Sequence, residues 1–246
     1  AAAENFSTAC YSVTRDDSGS VNVRYLGTGI SPAVNDMLSQ IERLQFTDFT
    51  VNLTVQALAE SLPTALVQHL QELYVAFFNR VPDADGLAYW LTQAKGGASI
   101  PDIANSFYWA GMSYPELTGF HAGMTDADFV NIIYKNALGR PEGADLEGLN
   151  YWVNELQNGT ATRGTVVSTI LHAAHSYAGD TTWGWVADLL TNKLTVANLV
   201  AVDWGLNYLD DASSIYHGAK IAGAVTPTDI EAAITMVGLS ADMIAL

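Results

Sequence analysis

One motif occurs twice in this chain and constrains the fold more than any other feature. The first copy runs from Asn79 to Trp90 with the sequence NRVPDADGLAYW, and the second runs from Gly139 to Trp152 with the sequence GRPEGADLEGLNYW. Each copy joins a proline-containing turn to an acidic residue and a Gly-Leu-x-Tyr-Trp segment. Each copy therefore predicts the end of one helix, a turn, and the start of the next helix.

The residues around the motif repeat as well. Equivalent tyrosines are 60 positions apart before the motif (Tyr74 and Tyr134) and 63 positions apart after it (Tyr114 and Tyr177). Two of the three extra residues fall inside the turn of the second copy. This pattern indicates an internal duplication of about 60 residues. Two copies of an αα unit are too few for a solenoid, so we expect them to pack on each other in one bundle.

The N-terminal residues follow a different period. Apolar and polar residues alternate over 11–14 and 21–25, with a turn-rich segment at 16–20, which is typical of a β-hairpin. A further strand is expected within residues 38–53. Residues 1–54 are therefore predicted to be a β-rich segment made of a hairpin plus a strand.

From residue 55 onward, apolar residues recur at the three- and four-residue spacing of helices. The predicted fold class is mainly α, with a small N-terminal β region followed by an all-helical bundle built from the duplicated αα unit. In the helical domain, 55–246, the repeat units span about 66–118 and 126–179, and a helical tail spans 183–246. The apolar run from 183 to 209 predicts one long helix.

The composition excludes several classes of protein. Ten basic and 26 acidic residues give a net charge of −16, which argues against nucleic acid or an anionic membrane surface as a partner. The single cysteine, Cys10, excludes an intramolecular disulfide and a cysteine-based zinc site. No apolar run reaches the 18 or so residues of a membrane span.

No catalytic motif is recognisable. The sequence has no H-E-x-x-H, G-x-S-x-G, G-x-x-x-x-G-K or complete G-x-G-x-x-G pattern, so we predict that the protein is not an enzyme. His172 and His175 lie on one helix face at a spacing that two metal ligands could use. A solvated or hydrogen-bonded pair is the favoured alternative, because no third ligand accompanies them.

Calcium is the one cofactor that the motif suggests. Asp83 and Asp85, followed by a glycine, resemble the first half of an EF-hand loop, and Asp145 and Glu147 occupy comparable places in the second copy. The bidentate glutamate of such a loop is missing, since Thr92 holds its position. The favoured alternative is that the first aspartate of each copy caps the following helix.

The other motif residues have a structural and a binding interpretation. The arginines would bond helix-end carbonyls or a local carboxylate, or would hold a ligand carboxylate. The Tyr-Trp pairs would fill the core, or would stack on sugar rings. This structural motif comprises Arg80, Gly86, Leu87, Tyr89, Trp90, Arg140, Gly148, Leu149, Tyr151 and Trp152.

The paired signatures resemble the bacterial family called domain of unknown function 4214. Residues 41–48 resemble a short β segment often found before that domain in large secreted RTX-type and S-layer-like proteins, and the tail around 192–194 and 202–205 resembles the helical end of such domains. The first copy departs from the family pattern by Asn79 in place of glycine. The second carries the two-residue insertion and has Glu142 after its proline.

The resemblance implies an exported, often type I-secreted protein on the surface of a Gram-negative bacterium, such as an adhesin or surface-layer protein. The calcium-binding repeat G-G-x-G-x-D of RTX proteins is absent from the chain. The resulting hypothesis is a non-enzymatic structural or adhesive protein. It would assemble with itself as a surface-layer or filament subunit through its N-terminal β edge.

A second hypothesis comes from a different class. The chain would be a carbohydrate- or lipopolysaccharide-binding module with cell-surface polysaccharide as its partner. That function requires exposed indole rings beside polar groups. The candidates are Trp90, Trp109, Trp152, Trp183, Trp185 and Trp204.

Overall fold

The predicted fold class is confirmed by a computed structural model, which describes residues 8–27, 35–239 and 243–246. Its helices are α1 (Val55–Glu60), α2 (Thr64–Phe78), α3 (Ala84–Lys95), α4 (Ile100–Gly111), α5 (Pro115–Thr118), α6 (Asp126–Leu138), α7 (Leu146–Gln157), α8 (Arg163–Ser176), α9 (Gly184–Asn198), α10 (Asp211–Ala224) and α11 (Glu231–Val237). Its strands are β1 (Tyr11–Arg15), β2 (Val21–Tyr25), β3 (Asn35–Leu38), β4 (Arg43–Gln45), β5 (Phe49–Asn52), β6 (Leu206–Tyr208) and β7 (Ile244–Ala245).

The strands form two small sheets. The predicted hairpin is confirmed, since β1 and β2 pair antiparallel with Val13 opposite Val23. The first sheet has the order β3-β2-β1-β7, and β7 runs parallel to β1. The second has the order β4-β5-β6 and pairs Val51 with Leu206. The N-terminal segment thus contributes five strands instead of the expected three, and its residues 1–7 and 28–34 lie outside the described part.

The tail differs from the all-helical expectation. The single helix expected over 183–209 ends at Asn198, continues as a π-helix over Leu199–Asp203, and gives way to β6. The backbone N–H of Asn52 donates to the Gly205 carbonyl at 2.7 Å, and Gly205 has a φ of +59°. The left-handed backbone of Gly205 turns the chain out of the helix, and a Cβ there would lie 2.3 Å from the Asn52 carbonyl oxygen, so this position needs glycine.

The two predicted repeat units pack face to face. Helix α2 lies against α6, and α4 lies against α8, so the corresponding helices of the two units contact each other. Their shared core contains fully buried rings, including Phe77, Phe107 and Phe129. A second apolar cluster joins the N-terminal strands to the tail, with Trp204 among its buried members. The β segment and the tail therefore share one core instead of separating near residue 54.

Within the described part of the chain, no helix combines the length and the apolar character that crossing a membrane requires.

Candidate functional site: two equivalent aromatic clefts

Each copy of the motif ends one helix and caps the next. In the first copy, Asn79 caps the C-terminal end of α2 and has a left-handed φ of 44°. The Asp83 side chain caps α3 by accepting a hydrogen bond from the Gly86 N–H at 2.8 Å. In the second copy, Asp145 accepts from the Gly148 N–H at 2.9 Å. The capping role predicted for the first aspartate of each copy therefore applies to both.

The motif arginines bind the capping aspartates. Arg80 Nη2 lies 2.9 Å from Asp83 Oδ2, and Arg140 Nη1 lies 3.2 Å from Asp145 Oδ2. The hydrogen bond from the Gly148 N–H lowers the pKa of Asp145 below its usual value, and the neighbouring Arg140 guanidinium lowers this pKa further. Each arginine thus binds a local carboxylate, which was one of its two predicted roles.

A tyrosine from the preceding helix packs on the motif glycine. A Cβ at Gly86 would lie 2.7 Å from the Tyr74 hydroxyl oxygen, and one at Gly148 would lie 3.0 Å from that of Tyr134. Neither glycine has a positive φ. The motif therefore needs glycine for close packing and not for a turn. In the second copy Trp152 Nε1 also donates to the Tyr134 hydroxyl at 3.1 Å.

These contacts form the floor of a cleft in each unit. Cleft one has a volume of about 530 Å³ and cleft two of about 460 Å³. Ten equivalent positions line both. They are Tyr74, Phe78, Arg80, Asp83, Asp85, Gly86, Trp90, Phe107, Ala110 and Tyr114 in cleft one, and Tyr134, Leu138, Arg140, Asp145, Glu147, Gly148, Trp152, Ile170, Ala173 and Tyr177 in cleft two.

The wall opposite the motif differs between the clefts. Helix α10 closes cleft one with Tyr216 and Lys220, and the Lys220 ammonium lies 5.6 Å from the centre of the Tyr216 ring. The start of α9 closes cleft two with Trp183, whose ring centre lies 5.0 Å from the Arg140 guanidinium. The tail therefore makes the two clefts chemically different.

The residues of the calcium hypothesis are placed as follows. Asp85 forms an ion pair with Arg43 at 2.6 Å and accepts from the Asn52 side chain at 2.7 Å. Glu147 is exposed at the rim of cleft two, and the two capping aspartates are bonded as described above. In the described ranges, no three His, Cys, Asp or Glu residues are grouped so that they could hold a metal ion. Calcium binding stays a prediction.

The Tyr-Trp pairs do not simply fill the core. Tyr89 and Tyr151 are exposed, whereas Trp90 and Trp152 are half-buried and form cleft walls. The leucines before them point inward, since Leu87 is fully buried and Leu149 packs against the core. Trp90 and Trp152 also pack against the core, so the structural interpretation holds in part for the tryptophans, whereas Tyr89 and Tyr151 do not fill the core.

The tryptophans are distributed between core and surface. Trp204 is 1% exposed, whereas Trp109, Trp183 and Trp185 are 64%, 37% and 36% exposed. Trp183 and Tyr177 lie side by side at cleft two, with ring centres 6.4 Å apart. The exposure that the carbohydrate hypothesis requires is therefore present.

The two histidines have different surroundings. Both histidines are exposed, and His175 Nε2 lies 2.5 Å from Oε1 of the buried Glu72. That hydrogen bond raises the pKa of His175. Glu72 comes from the first unit and was not identified from the sequence, since a glutamate within an amphipathic helix carries no signal of burial.

Comparison with known proteins identifies part of the chain. Residues 116–177 match the family described as Domain of unknown function (DUF4214). No curated protein and no solved structure matches the chain. The matched segment is about a quarter of the chain and contains the second copy of the motif. Residues 116–177, with α6, α7 and most of cleft two, therefore resemble that family of unknown function.

Proposed function

We propose that this chain is a non-enzymatic, extracellular adhesive module that binds surface carbohydrate in cleft two. The observation that carries the proposal is the accessible Trp183 ring beside the charged groups of the motif. The expected setting is the surface of a Gram-negative bacterium. The family resemblance and the absence of recognisable catalytic motifs support that setting and the lack of enzymatic activity.

The chemistry of cleft two suits a sugar ring. A sugar presents an apolar C–H face and a rim of hydroxyl groups, so it needs a flat apolar surface next to hydrogen-bonding groups. Trp183 and Trp152 supply aromatic surface, while Asp145 and Glu147 supply carboxylate oxygens that accept hydrogen bonds from hydroxyls. The volume of about 460 Å³ falls within the range of roughly 300–1,000 Å³ that is common for small-molecule sites.

Calorimetric titration with a panel of neutral hexose oligosaccharides tests the proposal. We expect one oligosaccharide per chain and a loss of about tenfold in affinity for Trp183→Ala, since an aromatic contact contributes up to about 1.5 kcal/mol. Tyr216→Ala is the matched control, because Tyr216 lies on the corresponding wall of cleft one. Binding of no oligosaccharide by the wild type, or equal affinity of wild type and Trp183→Ala, would contradict the proposal.

Self-assembly is a second candidate function, and the edge of the first sheet favours it. Among the described strands, β3 pairs with β2 alone. Asn35, Asp36 and Met37 of this strand are exposed. An edge strand offers unpaired backbone groups to another chain, so a surface-layer or filament subunit would assemble through β3.

Cryo-imaging and light scattering at high protein concentration with calcium test this second candidate. Met37→Lys is expected to suppress assembly by placing a charge on the edge strand. Met236→Lys is the control, because Met236 is similarly exposed but lies on α11. A strictly monomeric wild type would refute assembly, and equal effects of the two substitutions would remove the role of β3.

A further inference from the structure

Cleft one differs from cleft two in its lining, and we infer that it binds an amphipathic anion, with an aryl or acyl body and a carboxylate group. This inference concerns a second site and a second class of ligand, beyond carbohydrate binding in cleft two. It rests on the aromatic interior of the cleft and on one uncompensated cation at its edge.

The interior of cleft one is aromatic on several sides. Tyr74 and Phe107 are buried in its floor. The Phe78 ring stacks on Phe107 with centres 5.6 Å apart, and the Trp90 ring centre lies 5.0 Å from that of Phe107. At the positions of Phe78 and Phe107, cleft two has aliphatic side chains. The inner part of cleft one therefore favours an apolar ligand body, since a hydroxyl group placed against these rings would lose a hydrogen bond to water.

The opening of cleft one is apolar too. Tyr114, Leu117 and Tyr216 surround it and are all exposed to solvent. A bound aryl or acyl group would cover these side chains, at a gain of roughly 25 cal/mol for each Å² of apolar surface removed from water.

Lys220 supplies the charge that selects an anion. Its ammonium contacts the Tyr216 ring, and it has no acidic partner within 4.0 Å among the described residues. Asp211, also in the lining, is nine positions earlier on α10, which places it about 13 Å away along the helix axis. That separation exceeds the screening length of about 8 Å at physiological ionic strength, so Asp211 does not neutralise Lys220.

The other charged residues of the lining are already paired. Arg80 binds Asp83, and Asp85 binds Arg43. The chain has a net charge of −16, which opposes the approach of an anion from a distance. Selection of an anion must therefore arise within the cleft, where Lys220 faces the ligand.

Fluorescence titration of the full chain with 8-anilinonaphthalene-1-sulfonate, followed by displacement with decanoate, tests the inference. We expect one dye per chain and its displacement by decanoate. Ala110→Trp should weaken both ligands at least tenfold by filling cleft one. Ala173→Trp, the substitution at the equivalent position of cleft two, should leave them unchanged.

Lys220→Gln tests the contribution of charge separately from that of apolar contact. Its result does not depend on whether the Ala110→Trp variant folds. It should weaken decanoate about fivefold or more, and should leave the uncharged dye N-phenyl-1-naphthylamine unaffected. Equal losses for decanoate and the neutral dye, or equal effects of Ala110→Trp and Ala173→Trp, would overturn the inference. Because no ligand in this experiment is a sugar, a negative result at cleft one does not affect the proposal of carbohydrate binding in cleft two.

Discussion

Cleft one and cleft two share a floor and differ in the wall opposite it. In both, the motif supplies a capping aspartate, an arginine paired with it, and a glycine against which a tyrosine hydroxyl packs. The tail then places Lys220 beside one floor and Trp183 beside the other. The duplicated motif thus preserves the architecture of a cleft, while the surrounding chain determines the chemistry of its opposite wall.

The tail also explains why the two copies differ at their first residue. The Asn79 side chain accepts a hydrogen bond at 2.7 Å from the buried Lys193, which also donates to the Asn136 carbonyl at 2.9 Å. Burial lowers the pKa of Lys193 to about 8. Gly139 has a φ of +62°, and a Cβ there would lie 2.4 Å from Cδ2 of Leu189, so a side chain at this position would need both a left-handed backbone and a shift of Leu189. Helix α9 thus bonds the side chain in copy one and disfavours one in copy two.

The largest expected effect comes from substituting the first residue of each copy. Gly139→Ala should lower the free energy of unfolding by about 3 kcal/mol, because it combines a left-handed φ with a clash against Leu189. Asn79→Gly should cost only about 1 kcal/mol, the contribution of a hydrogen bond to a charged group offset by an easier backbone conformation. Urea denaturation measures both values. Equal costs would show that α9 does not distinguish the copies.

The motif glycines give the next largest effect. Gly86→Ala should destabilise the fold by about 2 kcal/mol and Gly148→Ala by about 1 kcal/mol, because the new Cβ is closer to a tyrosine hydroxyl in copy one (2.7 Å) than in copy two (3.0 Å). Thermal and urea unfolding of the two variants provide the comparison. A larger loss at Gly148 would contradict the closer packing assigned to copy one.

The smallest expected effect concerns a contact that only one copy provides. Glu72 and His175 join the two units, whereas the equivalent positions hold Ile132 and Met112. The glutamate raises the pKa of His175, so its contribution is fully present below pH 6.5 and is lost as pH rises through the raised pKa. His175 is partly exposed, so this contribution is at most about 1 kcal/mol.

Unfolding of the wild type and of His175→Gln at pH 5.5 and pH 8.5 checks this pH dependence. The difference in stability between the two proteins should be larger at pH 5.5. A difference that is constant, or that grows toward pH 8.5, would show that the ion pair between the units does not stabilise the fold.

Local features of the fold could be predicted from the sequence. The turn, the capping aspartate and the following helix of each motif depend on residues within a few positions of one another, as does the N-terminal hairpin. Strand β6 could not be predicted in the same way. Its buried residues continue the apolar run of α9, and its partner residues in β5 lie 155 to 159 positions earlier in the chain.

The clefts were also beyond prediction from the sequence. The motif indicated which residues matter, but the cleft walls require α9 and α10 to lie opposite the motif, and no local pattern encodes that placement. The pairing of Glu72 with His175, 103 positions apart, has the same origin. The need for glycine at position 86 is a third example, because it arises from the hydroxyl group of Tyr74 on another helix.

We propose that the two clefts are separate sites for different ligands. Calorimetric titration of the tightest-binding hexose oligosaccharide into the chain, with and without saturating decanoate, tests this separation. We expect one oligosaccharide per chain and an affinity that changes less than twofold when decanoate is present. Competition between the two ligands, or two equivalent oligosaccharide sites per chain, would contradict it.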